Sequence, residues 1–177
     1  GISLFERAPW VISYSDSEPI PMASMLEEPL RGIHKDVLVV LRKLLDERPI
    51  WVRTSITYAL EQHIKRKDVN GILTKLLPHV CYNYSKGPWR RCWIRYGYDP
   101  RQHQQSRLYQ TVIMKNVYWN QHEANSNVIQ KLPIFSKEKP HVFDGQTVSN
   151  NLATFQLCDI TEPNCKLLID GTCVDRL

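Results

Sequence analysis

Between Val37 and Tyr84 the apolar residues recur every third or fourth position, and after Pro88 they alternate. This change of period constrains the fold more than any other feature, because a helical pattern cannot settle as a strand, nor the reverse. The first helical stretch carries Val37, Val40, Leu41, Leu44 and Leu45, is opened by Asp36 and is stopped by Pro49. A short β-rich run follows, Ile50-Trp51-Val52-Arg53. Thr54 or Ser55 then offers an N-cap to a second helix with Ile56, Ala59, Leu60 and Ile64 on one face. The basic run Lys65-Arg66-Lys67 and the turn pair Asn70-Gly71 separate it from a third helical pattern, Leu73, Leu76, Leu77, Val80 and Tyr84. Pro78 should kink that helix or begin its main part, and Ser85-Lys86-Gly87-Pro88 ends it.

Alternation then takes over. From Trp89 to Tyr96 one face carries Arg91, Trp93 and Arg95, and the other Cys92, Ile94 and Tyr96. Gly97 to Gln105 is polar, with Asp99-Pro100 as a turn former, and Leu108 to Met114 supplies a second strand candidate. The order helix, strand, helix, helix, strand, turn, strand predicts an α+β fold. Its main part is a winged helix, a helix-turn-helix with a β-hairpin wing, over residues 31–115. Residues 1–30 hold Pro9, Pro19, Pro21 and Pro29 and read as an acidic, irregular arm lying along the globular part. Residues 116–177 read as a small α+β accessory subdomain packed on the winged helix. There His141-Val142-Phe143 and Gln146-Thr147-Val148 flank Asp144-Gly145, a hairpin signal. Thr161 is expected to cap a short helix with Pro163 in its first turn and Leu167 and Leu168 turned inward. With Gly1 first and no leader segment behind it, the chain reads as a piece of a longer protein.

Charge is distributed unevenly. The net value is +5, but residues 1–30 sum to −4, residues 31–115 to +11 and residues 116–177 to −2. A middle segment so basic is the footprint of a polyanion-binding module. Lys86 to Arg107 packs Lys86, Arg90, Arg91, Arg95, Arg101 and Arg107 among Trp89, Trp93, Tyr96, Tyr98 and Tyr109. Guanidinium groups make bidentate contacts with phosphates and guanine edges, so cations on a wing would straddle the duplex backbone beside a groove-bound third helix. Trp89 reads as core, with arginine stems over the aromatic rings. On the third helix Lys75, His79, Tyr82 and Asn83 are expected to point outward, and Arg53, Lys65, Arg66 and Lys67 to add phosphate contacts. Interleaved aromatics would also suit single-stranded or structured RNA.

Other chemistries find little support. The chain has no Gly-rich phosphate loop, no Gly-x-Ser-x-Gly elbow and no His-Glu-x-x-His, so it is not expected to be an enzyme or to need a cofactor. Its five cysteines are widely spaced, as in a reducing compartment. A zinc site from Cys158, Cys165, Cys173 and a distant histidine would lack the usual close ligand pairs. No apolar run approaches the roughly 20 residues of a membrane-spanning helix, so no membrane partner is expected.

Several stretches carry a family resemblance: Arg48-Pro49-Ile50-Trp51, Leu76-Leu77-Pro78-His79-Val80, Gly87-Pro88-Trp89-Arg90, Trp93 to Arg101 and Ser106 to Gln110. Together they resemble the DNA-binding region of the TFIIIC subunit that recognises box A of tRNA genes for RNA polymerase III. Phe143-Asp144-Gly145 and Phe155 to Ile160 extend the likeness, which spans residues 31–170. The arm matches poorly and Lys166 onward diverges. The resemblance implies a nuclear, non-enzymatic subunit that binds double-stranded box A DNA and assembles with other TFIIIC subunits. A winged-helix module that docks partner proteins, with little direct DNA binding, is the alternative.

Overall fold

Helix α1 runs from Ile33 to Glu47 in the computed structural model, which describes residues 8–15, 17–114, 139–145 and 153–171. Val37, Leu41, Leu44 and Leu45 form its buried stripe, as their spacing requires. Helix α2, Arg53–Glu61, buries Ile56 and Leu60, and helix α3, Val69–Val80, buries Ile72, Leu73, Leu76 and Leu77. The three helices pack on one another and share a single apolar core with Trp51 and Cys81. Each fully buried Leu or Ile contributes about 1.5–3 kcal/mol against leaving it in water.

A four-stranded sheet supplies the second core. Strand β2 is Ile50–Val52, β3 is Cys81–Tyr84, β4 is Cys92–Arg95, and a short β1, Val11–Ile12, comes from the N-terminal arm. Their order is β1-β3-β4-β2. Strands β3 and β4 are antiparallel and joined by the loop 85–91; β4 is antiparallel to β2, with Trp51 opposite Trp93 and Ile50 opposite Ile94. The arm strand lies parallel to β3, with Asn83 N–H donating to Trp10 O at 2.8 Å and Ser85 N–H to Ile12 O at 2.9 Å. Trp10, Ile12, Tyr14 and Ile20 of the arm pack against Tyr82, Tyr84, Trp89 and Ile94. The arm is therefore built into the sheet, not merely laid on it.

Several boundaries differ from the sequence expectation. The third helix ends at Val80, and Tyr82 and Tyr84 become inward residues of β3. Those aromatics sit at positions that bury equally well on a helix or on a strand, and β1 and β4 recruit the backbone. Asn70-Gly71 is no turn; it lies in the first turn of α3, and the chain reverses at residues 62–68. Helix α2 begins at Arg53 with Val52 as its N-cap residue, while the Ser55 hydroxyl is buried and donates to Val52 O at 2.9 Å. Residues 89–91 form a turn before β4, although the expected alternation holds within it, with Cys92 and Ile94 buried. Leu108 and Tyr109 belong to a 3-10 turn, and only Thr111–Met114 is extended, as β5. β5 pairs with β6, Ala153–Gln156, and not with β4, so the hairpin is β3–β4.

The chain divides into two compact units, residues 1–111 and 112–177. In the second, Phe143 bridges Ile160 in parallel fashion and its ring meets Phe155 edge-on at 5.6 Å. Gln146-Thr147-Val148, the far arm of the expected hairpin, lies outside the described residues. Helix α4 runs Pro163–Gly171. Glu162, not Thr161, caps it: its carboxylate accepts from Cys165 N–H at 2.6 Å. Leu167 and Leu168 are about 70% exposed, against the inward placement expected of them, because Cys165 and Ile169 take the shielded positions of this short helix.

Candidate nucleic-acid interface

The loop 85–91 is held at its base and open at its tip. Gly87 has φ +96°, and a Cβ there would meet Tyr14 Cγ at 2.8 Å, so only glycine fits without displacing the arm. Trp89 is buried as expected, and its indole N–H donates to Ser106 O at 2.9 Å. Asn83 Nδ2 donates to Cys92 O at 2.7 Å across the hairpin. Between these anchors Lys86, Arg90 and Arg91 are exposed, and their side chains make no hydrogen bond or ion pair among the described residues. The α2–α3 connection presents Lys65 and Lys67 in the same way. Between them Arg66 is exposed but forms a bidentate pair with Asp68, at 2.8 and 2.9 Å, which raises the guanidinium pKa and lowers that of the carboxyl.

The other candidates are committed inside the fold. Arg101 donates to Asp99 at 2.9 and 3.0 Å, to Glu18 O at 2.8 Å and to Ser15 O, and its guanidinium lies over the Tyr84 ring. The Arg101–Asp99 pair is largely buried, at 13% and 17% side-chain exposure. Burial alone would raise the Asp99 carboxyl, but the bonds from Arg101 outweigh it and the net shift is downward. Arg95 reaches the C-terminal turn of α1, donating to Leu45 O and Asp46 at 3.3 Å, where a cation offsets the helix dipole. Arg53 bridges to α3, donating to Asn70 O at 2.6 Å and Thr74 Oγ1 at 2.8 Å, and burial lowers its pKa. Arg107 lies half-buried in a 3-10 turn.

Helix α3 presents Asn70, Gly71, Thr74 and Lys75. Asn70 and Thr74 were missed as face residues, though their spacing with Lys75 carried the signal. Lys75 is paired with Glu28 of the arm at 3.4 Å. His79 is half-buried at the other end of α3, beside a cleft of about 690 Å³ lined also by Met22, Leu26, Leu38 and Tyr96. Tyr82 and Asn83 do not lie on the helix: Tyr82 is fully buried in β3, and Asn83 is held by its hairpin bond. Among the described residues no three His, Cys, Asp or Glu side chains converge as metal ligands would, and Cys173 lies outside those residues.

Three mutually packed helices followed by a hairpin place the chain in the class of helix-turn-helix domains. A family model described as the RNA polymerase III transcription factor TFIIIC subunit helix-turn-helix domain, Tau95, matches residues 6–115. The chain belongs to this family. Transcription factor tau subunit sfc1 of Schizosaccharomyces pombe is 29% identical over 166 residues, which cover 92% of this chain and 32% of that protein. General transcription factor 3C polypeptide 5 of Homo sapiens is 42% identical over 72 residues, 41% of this chain and 13% of that one. The chain thus spans about a third of the fission-yeast relative. A solved structure titled Sfc1-DBD superposes with a TM-score of 0.63 at 27% identity, over 91% of this chain and 72% of the other. The chain is a TFIIIC-subunit domain with this DNA-binding-domain fold.

Proposed function

We propose that this chain binds duplex DNA at the box A internal promoter of tRNA genes, as part of a nuclear TFIIIC assembly without catalytic activity. The arrangement helix, strand, helix, helix, hairpin is read as a winged helix whose wing is β3, β4 and the loop 85–91. One observation carries the proposal: the exposed cations Lys86, Arg90 and Arg91 on the wing loop, and Lys65 and Lys67 before α3, have no partner among the described residues. Arg53, Arg95 and Arg101 are excluded from the contact set because the fold uses them. Held this way, DNA is gripped chiefly through phosphates, which give affinity and register with little base reading.

If four or five phosphates are contacted, log affinity falls against log salt with a slope of about −4. Fluorescence anisotropy of a labelled tRNA-gene duplex across a salt series measures it. A flat response, or no binding at low salt, refutes the proposal. A second reading, a module that docks other TFIIIC subunits, is favoured by the cleft beside His79 and by Met22 and Met25, more than 70% exposed on the arm. Under that reading Lys86→Gln with Arg90→Gln leaves duplex binding unchanged, whereas direct DNA binding makes it weaken.

A further inference from the structure

Arg91 has a feature that sets it apart from the other cations of the loop. Its φ is +69°, and it is the single non-glycine residue with positive φ among those described. Cys92 N–H donates to Trp89 O at 3.1 Å, closing a four-residue turn from Trp89 to Cys92. Arg91 is the third residue of that turn, a position where positive φ favours Gly or Asn and disfavours a long side chain. Both ends of the turn are pinned. Trp89 is buried and bonded to Ser106, and Cys92 is buried in β4 and accepts from Asn83. The backbone at position 91 therefore has little freedom to relax, and the chain carries an arginine where glycine would escape the left-handed penalty.

Internal contacts do not explain that choice. The Arg91 side chain is exposed and makes no hydrogen bond, ion pair or ring contact among the described residues. A strained, exposed cation on a rigid turn is the pattern of a group held ready for a ligand. We propose that Arg91 is the principal anion contact of the loop, its guanidinium presented by the left-handed backbone for a bidentate bond to a DNA phosphate. The inference rests on the DNA-binding reading above. Arg90, one residue earlier on ordinary backbone, has a secondary part.

The test uses the 177-residue chain, a fluorescein-labelled tRNA-gene duplex and a salt series. In Arg91→Gln the backbone demand stays and the charge goes. Affinity should fall on the order of tenfold, the salt slope should shrink by about 0.9, and the thermal midpoint should stay where it is. In Arg91→Gly the loss of binding should be the same while the midpoint holds or rises by roughly 2–4 °C, because the left-handed penalty is removed. Arg90→Gln should cost clearly less affinity than Arg91→Gln. The proposal is overturned if Arg91→Gln keeps wild-type affinity and slope, or if Arg90→Gln loses as much. If Arg91→Gly lowers the midpoint, the left-handed strain is absent and the premise fails. Absence of duplex binding by the wild-type chain instead refutes the DNA-binding reading, so the two failures are told apart.

Discussion

Arg101→Ala should release the N-terminal arm. The guanidinium joins Asp99 to two carbonyls of the arm, Ser15 O and Glu18 O, at a side-chain exposure of 13%. Removing it leaves the Asp99 carboxylate, itself 17% exposed, without its counter-ion. Breaking a largely buried pair from one side costs about 3–5 kcal/mol, and the backbone amide of residue 101 still bonds Asp99 at 3.0 Å, which argues for the lower end. A loss of about 3 kcal/mol lowers the thermal midpoint of a unit this size by roughly 10–15 °C. Circular dichroism gives that midpoint. Hydrogen exchange then locates the damage: the amides of Asn83 and Ser85, which donate to Trp10 O and Ile12 O, should lose protection first. The anchoring role is refuted if the midpoint moves by less than about 2 °C and both amides stay protected.

The same pair gives the fold an acid limit. Because the folded Asp99 pKa lies below its ordinary 3.8, the ion pair's stabilisation is fully present above that value and is lost as the pH falls through the lowered one. Unfolding of the first unit should therefore steepen below about pH 4, and Asp99→Asn should remove that dependence in a pH series of urea melts. Gly87→Ala should cost on the order of 2 kcal/mol, since the new Cβ meets the Tyr14 ring and φ is +96°; urea denaturation reads the change. Lys65→Gln with Lys67→Gln should leave the midpoint unchanged, as both side chains are exposed, and reduce the magnitude of the duplex salt slope by about 2.

The helical part of the fold was readable because α1, α2 and α3 each bury a stripe at helical spacing, and local periodicity is enough to show that. The α3–β3 boundary was not, because Val80 and Tyr84 continue the helical spacing while the deciding interactions come from β1 and β4, far away in sequence. The same non-local pairing hid the arm strand: Val11–Ile12 is too short to register as a strand until Asn83 and Ser85 donate to Trp10 O and Ile12 O. Within the candidate site, the charge of the middle segment marked the right region but not the right residues. Counting cations treats Arg91 and Arg101 alike, yet one is exposed with no partner among the described residues and the other ties Asp99 to the arm. Asp99-Pro100-Arg101 held a usable hint, since an acid two residues before an arginine can pair with it across a turn. Nothing in the residue type at position 91 announced a left-handed backbone, which follows from the pinned turn between Trp89 and Cys92.

If the wing loop and the connection before α3 hold duplex DNA, an NMR titration of the isotope-labelled chain with a tRNA-gene duplex will show it at those two loops. The expected result is amide shifts concentrated at residues 64–68 and 85–91, with Arg95, Arg101 and their partners unmoved. Shifts that spare both loops, or that gather along the arm and α1 around the cleft, would rule out DNA binding through these loops.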